Sequence, residues 1–239
     1  MRIFRGRGTF IHMKVLIPVL CALLFISCLG VPSSTQHPRT VSNPSKEMPA
    51  QEKPIPLFPG SSAEIQKRLV EKALSLLGRT SLQFKGASFS SDCSGFVLAA
   101  YYLSGMDLRK EYAQKTGNGV RRLYQIAQSH RLLSTGDLPL AGDVLFWDNT
   151  YDANGDEKLN DELTHTGIVV AAFGDGRVDY AHYHVRRGIV VESMNLYQPG
   201  KESLNAPMRI KEAGKPRPDK WLAAQLYRSH ARLWYLESN

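Results

Sequence analysis

The sequence predicts an α+β domain in which helices come first and antiparallel strands follow. Apolar and amphipathic helical patterns occur between about residues 62 and 133. From residue 143 onward, short runs of β-branched and aromatic residues alternate with glycine turns. Because helices and strands are segregated along the chain, the pattern favours helices packed on one antiparallel sheet over an alternating βαβ arrangement.

Residues 1–28 are predicted to be an export signal, with Met13 as the expected true start. A basic segment precedes an apolar run over 15–29, which falls short of the roughly 20 apolar residues that a membrane span needs. The run Leu24-Phe25-Ile26-Ser27-Cys28 resembles the lipobox of bacterial lipoproteins. It predicts a lipid anchor on Cys28 that holds the exported protein at a bacterial membrane, facing the periplasm or cell wall. An ordinary cleaved signal and an uncleaved anchor are the alternatives.

Residues 29–60 are predicted to be a disordered linker, and residues 61–239 a single domain. The linker is rich in Pro and Ser and has almost no aliphatic residue before Ile55, so burial cannot offset its ordering entropy. The formal net charge is +8, with Lys and Arg scattered along the chain. Such a surface suits anionic polymers or lipid headgroups, or is simply an ordinary basic surface. Nucleic-acid binding is not indicated, because the sequence has no basic stripe with interleaved aromatic residues.

Three helices are predicted in the first half of the domain. The first begins at Ser62-Ala63-Glu64, which is expected to cap it, and ends at Gly78. A polar loop over 79–91 leads to an apolar helix, 94–103, for which Asp92 is the expected N-cap. An amphipathic helix is predicted within 120–133.

Four strands are predicted in the second half, at 143–147, 165–173, 177–184 and 188–191. Gly174-Asp175-Gly176 is expected to join the second and third as a hairpin. The segment 226–236 fits either a closing strand or a helix, and the sequence does not decide between them.

Cys93 is a candidate nucleophile. The chain has three cysteines, and Cys21 and Cys28 lie in the predicted signal, so Cys93 is the only thiol of the domain and cannot form an internal disulfide. It lies in the first turn of a predicted helix, where unpaired N–H groups and the helix dipole favour a thiolate. The alternative is a structural cysteine on a buried helix.

Histidines further along the chain supply a candidate base. His165 opens a predicted strand, and Gly167, on the same face, leaves room beside the imidazole for another group such as the Cys93 helix. A polar group that orients the imidazole would complete a triad. His182 and His184 share one face of the returning strand, and register alone does not choose between them. A satisfied edge histidine is the alternative role for His165.

The domain carries four motifs in the order Asp92-Cys93-Ser94-Gly95-Phe96, Gly142-Asp143-Val144-Leu145-Phe146, His165-Thr166-Gly167-Ile168-Val169 and Gly174-Asp175-Gly176 before a histidine strand. Over about residues 62–195 this order resembles the NlpC/P60 family of cell-wall cysteine peptidases. The resemblance implies a papain-like fold and hydrolysis of amide bonds in peptidoglycan stem peptides. It implies Cys93 as nucleophile, His165 as general base and acid, and His182 as the orienting residue.

The sequence departs from that family ahead of the cysteine, where members carry a tyrosine that helps bind the oxyanion. The matching stretch, Leu82-Gln83-Phe84-Lys85-Gly86, has no hydroxyl, so an oxyanion would rely on backbone N–H groups near Cys93 or on another donor. A catalytically inactive wall-binding module and a thioacyl-enzyme acyltransferase are the alternatives to a peptidase. We expect a monomer whose partners are peptidoglycan peptide and, through Cys28, a membrane.

An acidic insertion before His165 resembles the start of an EF-hand calcium loop. Oxygen-bearing side chains stand at loop positions 1, 3, 5 and 9, which are Asp152, Asn154, Asp156 and Asn160. Glu157 replaces the glycine of position 6, and Leu163 replaces the bidentate glutamate of position 12. The insertion predicts a structural calcium ion, with a solvated acidic turn as the alternative. No cofactor is expected to be required for catalysis.

Overall fold

The computed structural model describes residues 52–57, 60–209, 211, 214 and 216–237. The predicted export signal, 1–28, and most of the predicted linker, 29–60, lie outside the described residues. Within the described ranges, no helix combines the length and the apolar character that crossing a bilayer requires.

The helices that the structure describes are α1 (Ser61–Ser75), α2 (Cys93–Leu103), α3 (Arg109–Gln114), α4 (Gly119–Ser129) and α5 (Ala223–Leu226), with short 3-10 helices at Glu202–Leu204 and Leu233–Glu237. The predictions for α1, α2 and α4 are confirmed, whereas α3 was not predicted. The expected cap at Ser62-Ala63-Glu64 is wrong: α1 begins after Gly60, and no side chain caps it. Burial of Ile65, Leu69 and Ala73 along one face accounts for the helix without a cap.

The strands are β1 (Gln83–Phe84), β2 (Ala87–Ser88), β3 (Leu133–Ser134), β4 (Val144–Trp147), β5 (His165–Ala172), β6 (Arg177–His184), β7 (Gly188–Asn195) and β8 (Tyr227–Ala231). β3 to β8 form a six-stranded antiparallel sheet in the order β3-β8-β4-β5-β6-β7. The described part of the chain is therefore α+β, as predicted. β1 and β2 pair as a small hairpin inside the segment predicted to be loop. The undecided segment 226–236 contains both a strand and a 3-10 helix.

Apolar cores lie on both faces of the sheet. On one face, α1 and α2 pack on β5, and residues such as Phe96, Leu123 and Phe146 fill the space between. On the other face, Trp147 and Tyr180 are covered by residues from the C-terminal region, among them Met208, Ala223 and Leu226. β4 is buried along its whole length because its alternating side chains enter both cores.

Residues 52–57, within the predicted linker, contact the sheet. The N–H of Ile55 donates to the carbonyl of Ala172 at 2.7 Å, and Pro54 forms a β-bridge with Phe173 at the end of β5. Ile55 also packs against the core on the Trp147 face. The described residues 52–57 therefore belong to the domain, because a backbone bond and apolar burial offset the entropy of ordering them.

A buried polar cluster ties the start of β4 to the C-terminal region. One carboxylate oxygen of Asp143 accepts from the indole N–H of Trp234 at 2.7 Å, and the other accepts from the N–H of Leu140 at 2.9 Å. His230 is fully buried, and its Nε2 lies 3.6 Å from Asp143 Oδ2. Burial raises the pKa of Asp143 to about 7 and lowers the pKa of His230 to about 4, since each charged form loses its hydration.

Candidate active site

A cleft of about 720 Å³ opens where the N-terminus of α2 meets one end of β5 and β6. Its walls bring together residues that are distant in the chain, including Asp92, Cys93, Tyr151, Thr164, His165 and His182. The structure therefore gathers the lone thiol of the domain and the three candidate histidines, His165, His182 and His184, in one place.

The start of α2 fixes the position of Cys93. Asp92 caps the helix: its Oδ1 accepts from the N–H of Gly95 at 2.7 Å and from the hydroxyl of Ser94 at 2.8 Å. A Cβ atom added to Gly95 would lie 1.9 Å from the carbonyl oxygen of Ser90, so the first turn packs directly on the preceding backbone. Capping and close packing together hold the sulfur at the wall of the cleft.

The thiol of Cys93 is neutral in the free protein, contrary to the prediction of a thiolate. Burial is the main cause and the nearby charge of Asp92 the second, and together they raise its pKa to about 12. The N–H groups of Thr166, Ser94 and Cys93 lower the pKa, but they do not outweigh the loss of hydration. The contact with the Thr166 N–H places the sulfur at the start of β5.

His165 and His182 are hydrogen-bonded to each other. Nε2 of His165 lies 2.9 Å from Nδ1 of His182, with the rings nearly perpendicular at 84°. This bond leaves Nδ1 of His165 as the ring nitrogen that His182 does not use. Burial lowers the pKa of His165 well below its usual value, and the neighbouring His182 lowers it further. The imidazole of His165 is therefore neutral, like the thiol.

Gly167 makes room for His182, and not for the cysteine helix as predicted. Ile168 pairs with Ala181, which puts Gly167 and His182 side by side across the β5–β6 ladder. A Cβ atom on Gly167 would lie 2.7 Å from the carbonyl oxygen of Ala181 and 3.2 Å from Cβ of His182. The missing side chain lets His182 lie over β5 and reach His165 diagonally.

His184 has other partners. Its Nδ1 accepts from the N–H groups of Arg186 and Arg187, at 3.2 and 3.3 Å, in the turn between β6 and β7. Its ring centroid lies 6.4 Å from that of His182. Of the two histidines that register left open, His182 contacts His165, whereas His184 accepts hydrogen bonds from the backbone of the turn.

Sequence reasoning missed Glu192, which lies behind His182. Oε2 of Glu192 is 3.1 Å from Nε2 of His182, and Oε1 accepts from the guanidinium of Arg187. In the β6–β7 ladder Val190 pairs with His182, so Glu192 lies two residues further along on the same face. Counting that register across the 185–187 turn would have found it.

Tyr151 was also missed, because a tyrosine was expected ahead of the cysteine. It lines the cleft, and burial raises its pKa, with a further increase from the nearby Cys93. The preceding residue, Thr150, is held at the base of the acidic insertion, because its N–H donates to the hydroxyl of Thr164 at 2.9 Å. Tyr151 thus brings a phenolic side chain from another part of the chain to the cleft that Cys93 lines.

The predicted calcium loop is an exposed turn whose polar side chains contact one another. Asp152 accepts from the N–H groups of Gly155 and Glu157, at 2.7 and 2.9 Å. Asn160 contacts both Asn154 and Asp156, at 3.1 and 2.7 Å.

This loop resembles an EF-hand in its backbone at position 6 and differs from it in the side chain at position 12. Glu157 has a φ of 64°, the left-handed conformation that the expected glycine would supply, whereas Leu163 is buried. Among the described residues, no three His, Cys, Asp or Glu side chains form a group able to hold a metal ion. Calcium at Asp152, Asn154, Asp156 and Asn160 stays a prediction.

Comparisons with known proteins add little. No protein-family model matches the chain, and no curated protein matches it. A solved structure from Staphylococcus aureus subsp. aureus Mu50, described as similar to a lipoprotein of the NLP/P60 family, matches with 22% identity and a TM-score of 0.34. The match covers 58% of this chain and 38% of that protein.

Proposed function

We propose that this protein is a cysteine peptidase or amidase that hydrolyses amide bonds in peptidoglycan stem peptides. The observation that carries the proposal is the contact at 2.9 Å between Nε2 of His165 and Nδ1 of His182, in the same cleft as Cys93. A nucleophile, a base and a group that orients the base are the parts of a covalent hydrolase.

The reaction begins from a neutral thiol and a neutral imidazole. As the sulfur of Cys93 attacks the substrate carbonyl carbon, the thiol proton passes to Nδ1 of His165. The carbonyl oxygen becomes an oxyanion, and the imidazolium is oriented by His182. Collapse of the tetrahedral intermediate breaks the C–N bond, and His165 gives its proton to the departing amine. A water molecule, deprotonated by the same imidazole, then attacks the thioester; the C–S bond breaks, the acid is released, and the departing sulfur takes the proton back from His165.

Donors for the oxyanion are available beside the sulfur. The backbone N–H groups of Cys93 and Ser94 point toward the thiol from the first turn of α2. The hydroxyl of Tyr151 is the candidate for the role that a tyrosine ahead of the cysteine has in the NlpC/P60 family. Donors that are fixed before the reaction stabilise the developing charge without reorganising.

The rim of the cleft supports an anionic peptide as substrate. Arg186, Arg209, Lys211 and Arg217 line it. Stem peptides carry free carboxylates, which such a rim attracts. An exported monomer, anchored to a bacterial membrane by a lipid on Cys28, would meet this substrate at the cell wall.

Digestion of purified sacculi tests the proposal, with mass spectrometry of the released fragments. The wild type is expected to release peptide fragments with new free amines. Cys93→Ala and His165→Ala are expected to release none, because each lacks a group that takes part in bond breaking. His184→Ala is a matched control, since it removes an imidazole from the same cleft wall that does not contact His165. Equal release by wild type and Cys93→Ala would refute the proposal.

An inactive wall-binding module is the second candidate, favoured by the raised pKa of the Cys93 thiol. Such a module would bind sacculi without releasing fragments. The products distinguish a peptidase from an acyltransferase with the same three residues. With an acyltransferase, an added amine acceptor would appear in the fragments in place of a new free acid.

A further inference from the structure

We propose that Glu192 is a positioning residue that fixes which ring nitrogen of His165 carries the proton. Its carboxylate acts through His182 and leaves Nδ1 of His165 unprotonated, ready to take the thiol proton. The inference rests on the proposed function for its catalytic consequence, but the tautomers themselves can be observed without any substrate.

The carboxylate of Glu192 can only accept hydrogen bonds. Burial alone would raise its pKa, but hydrogen bonds and charges from His182 and Arg187 hold the pKa at about 2. The group is therefore ionised at neutral pH, and the nitrogen that faces it, Nε2 of His182 at 3.1 Å, has to carry a hydrogen.

The position of the hydrogen on His182 then determines the position of the hydrogen on His165. With its single ring hydrogen on Nε2, His182 presents a lone pair at Nδ1. The atom 2.9 Å from that lone pair, Nε2 of His165, has to donate. A neutral His165 with its hydrogen on Nε2 keeps a lone pair on Nδ1, which is the form that can accept the proton of Cys93.

Packing keeps this chain of bonds in one arrangement. His182 is 3% exposed, and the side chain of Glu192 is 13% exposed, so water does not compete freely for either group. β6 and β7 pair in unbroken register from Arg177 with Asn195 to His184 with Gly188. Arg187 holds Oε1 of Glu192 from the other side, which leaves Oε2 for His182.

The substitution Glu192→Gln is expected to invert the tautomers. Arg187 can only donate, so it keeps the amide oxygen of the glutamine and turns the NH₂ group toward His182. Nε2 of His182 would then accept, its Nδ1 would donate to His165, and the hydrogen of His165 would move to Nδ1. With that nitrogen occupied, His165 cannot take the thiol proton, and we expect kcat to fall roughly 100-fold or more.

A second substitution makes the prediction specific. In Arg187→Ala/Glu192→Gln the amide is free to rotate its oxygen toward His182, so activity should recover at least several-fold relative to Glu192→Gln alone. A purely structural ion pair predicts the reverse, because the second change would remove another contact. Asp179→Asn is the matched control: it neutralises a carboxylate on β6 that binds Arg177 at 2.9 Å, away from the cleft.

The experiment records the ring ¹⁵N chemical shifts of His165 and His182 in the full-length protein and its variants, beside sacculus digestion. We expect Nε2–H forms in the wild type, Nδ1–H forms in Glu192→Gln, and a return to Nε2–H in the double variant. An Nδ1–H form of His165 in the wild type, or shifts that Glu192→Gln leaves unchanged, would overturn the role of Glu192. Wild-type protein that never digests sacculi would overturn the proposed function, while the shifts would still decide the tautomers.

Discussion

Gly167→Ala probes how closely β5 and β6 have to approach for His182 to reach His165. The new Cβ would lie 2.7 Å from the carbonyl oxygen of Ala181, about 0.7 Å short of the 3.4 Å at which ordinary contact begins. The neighbouring atom belongs to the backbone of a central strand, so the clash cannot be relieved by rotating a side chain. The strands have to separate at this position.

The separation should cost both stability and activity. Overpacking of this kind costs about 1–3 kcal/mol in the free energy of unfolding. A shift of several tenths of an ångström takes the 2.9 Å contact between His165 and His182 past the roughly 3.2 Å limit of a normal hydrogen bond. We expect kcat to fall roughly 10- to 100-fold, as for other small misplacements of catalytic groups.

Denaturant unfolding and sacculus digestion measure the two effects on the same preparation. Gly136→Ala is the matched control, because an added Cβ there meets nothing within 4 Å, and its stability should stay within about 0.5 kcal/mol of wild type. Full activity in Gly167→Ala, with or without lost stability, would refute the argument that Gly167 is needed for the contact between the two histidines.

Three further predictions concern the oxyanion, the buried polar cluster and the acidic loop. Tyr151→Phe should lower kcat on sacculi about 100-fold with little change in KM, since the hydroxyl is needed only in the transition state; an unchanged kcat would leave the backbone N–H groups as the oxyanion donors. The raised pKa of Asp143 contributes stability at low pH that is lost as pH rises toward about 7, whereas the lowered pKa of His230 contributes stability above about pH 6.5 that is lost as pH falls toward about 4. These contributions oppose each other, so the unfolding free energy of Asp143→Asn should rise more steeply between pH 4 and 6.5 than that of wild type, and parallel curves from denaturant titrations would contradict the assignment. Calcium at a site that includes Asp156 should raise the melting temperature of the wild type and not that of Asp156→Ala, and a chelator that leaves the wild-type midpoint unchanged would argue for a solvated turn.

The secondary structure at the core of the site was predictable because its signals are local. Asp92 ahead of an apolar run predicts a capped helix with Cys93 in its first turn, and the helix begins there. Glycine turns and β-branched runs predict β5, β6 and the start of β7 for the same reason. The hairpin of β1 and β2 and the short helix α3 were missed, since elements of two to six residues leave too little pattern to read.

The ionisation of Cys93 shows where local reasoning fails. The helix terminus is visible in the sequence, and its N–H groups do lower the pKa of the thiol. Desolvation is the larger effect, and it depends on how much of the folded chain surrounds the sulfur. The sequence gives no measure of that burial.

The sequence by itself determined which residues could take part: one thiol in the domain, three clustered histidines and the order in which they occur. Only the tertiary structure decided how they are connected. Strand register and the space above Gly167 join His182 to His165, and the pairing of β6 with β7 puts Glu192 behind them. The acidic insertion brings Tyr151 to the cleft, although Tyr151 lies outside every sequence motif that predicts the site. Such contacts depend on distances across strands and between loops, which residue type and spacing along one chain do not specify.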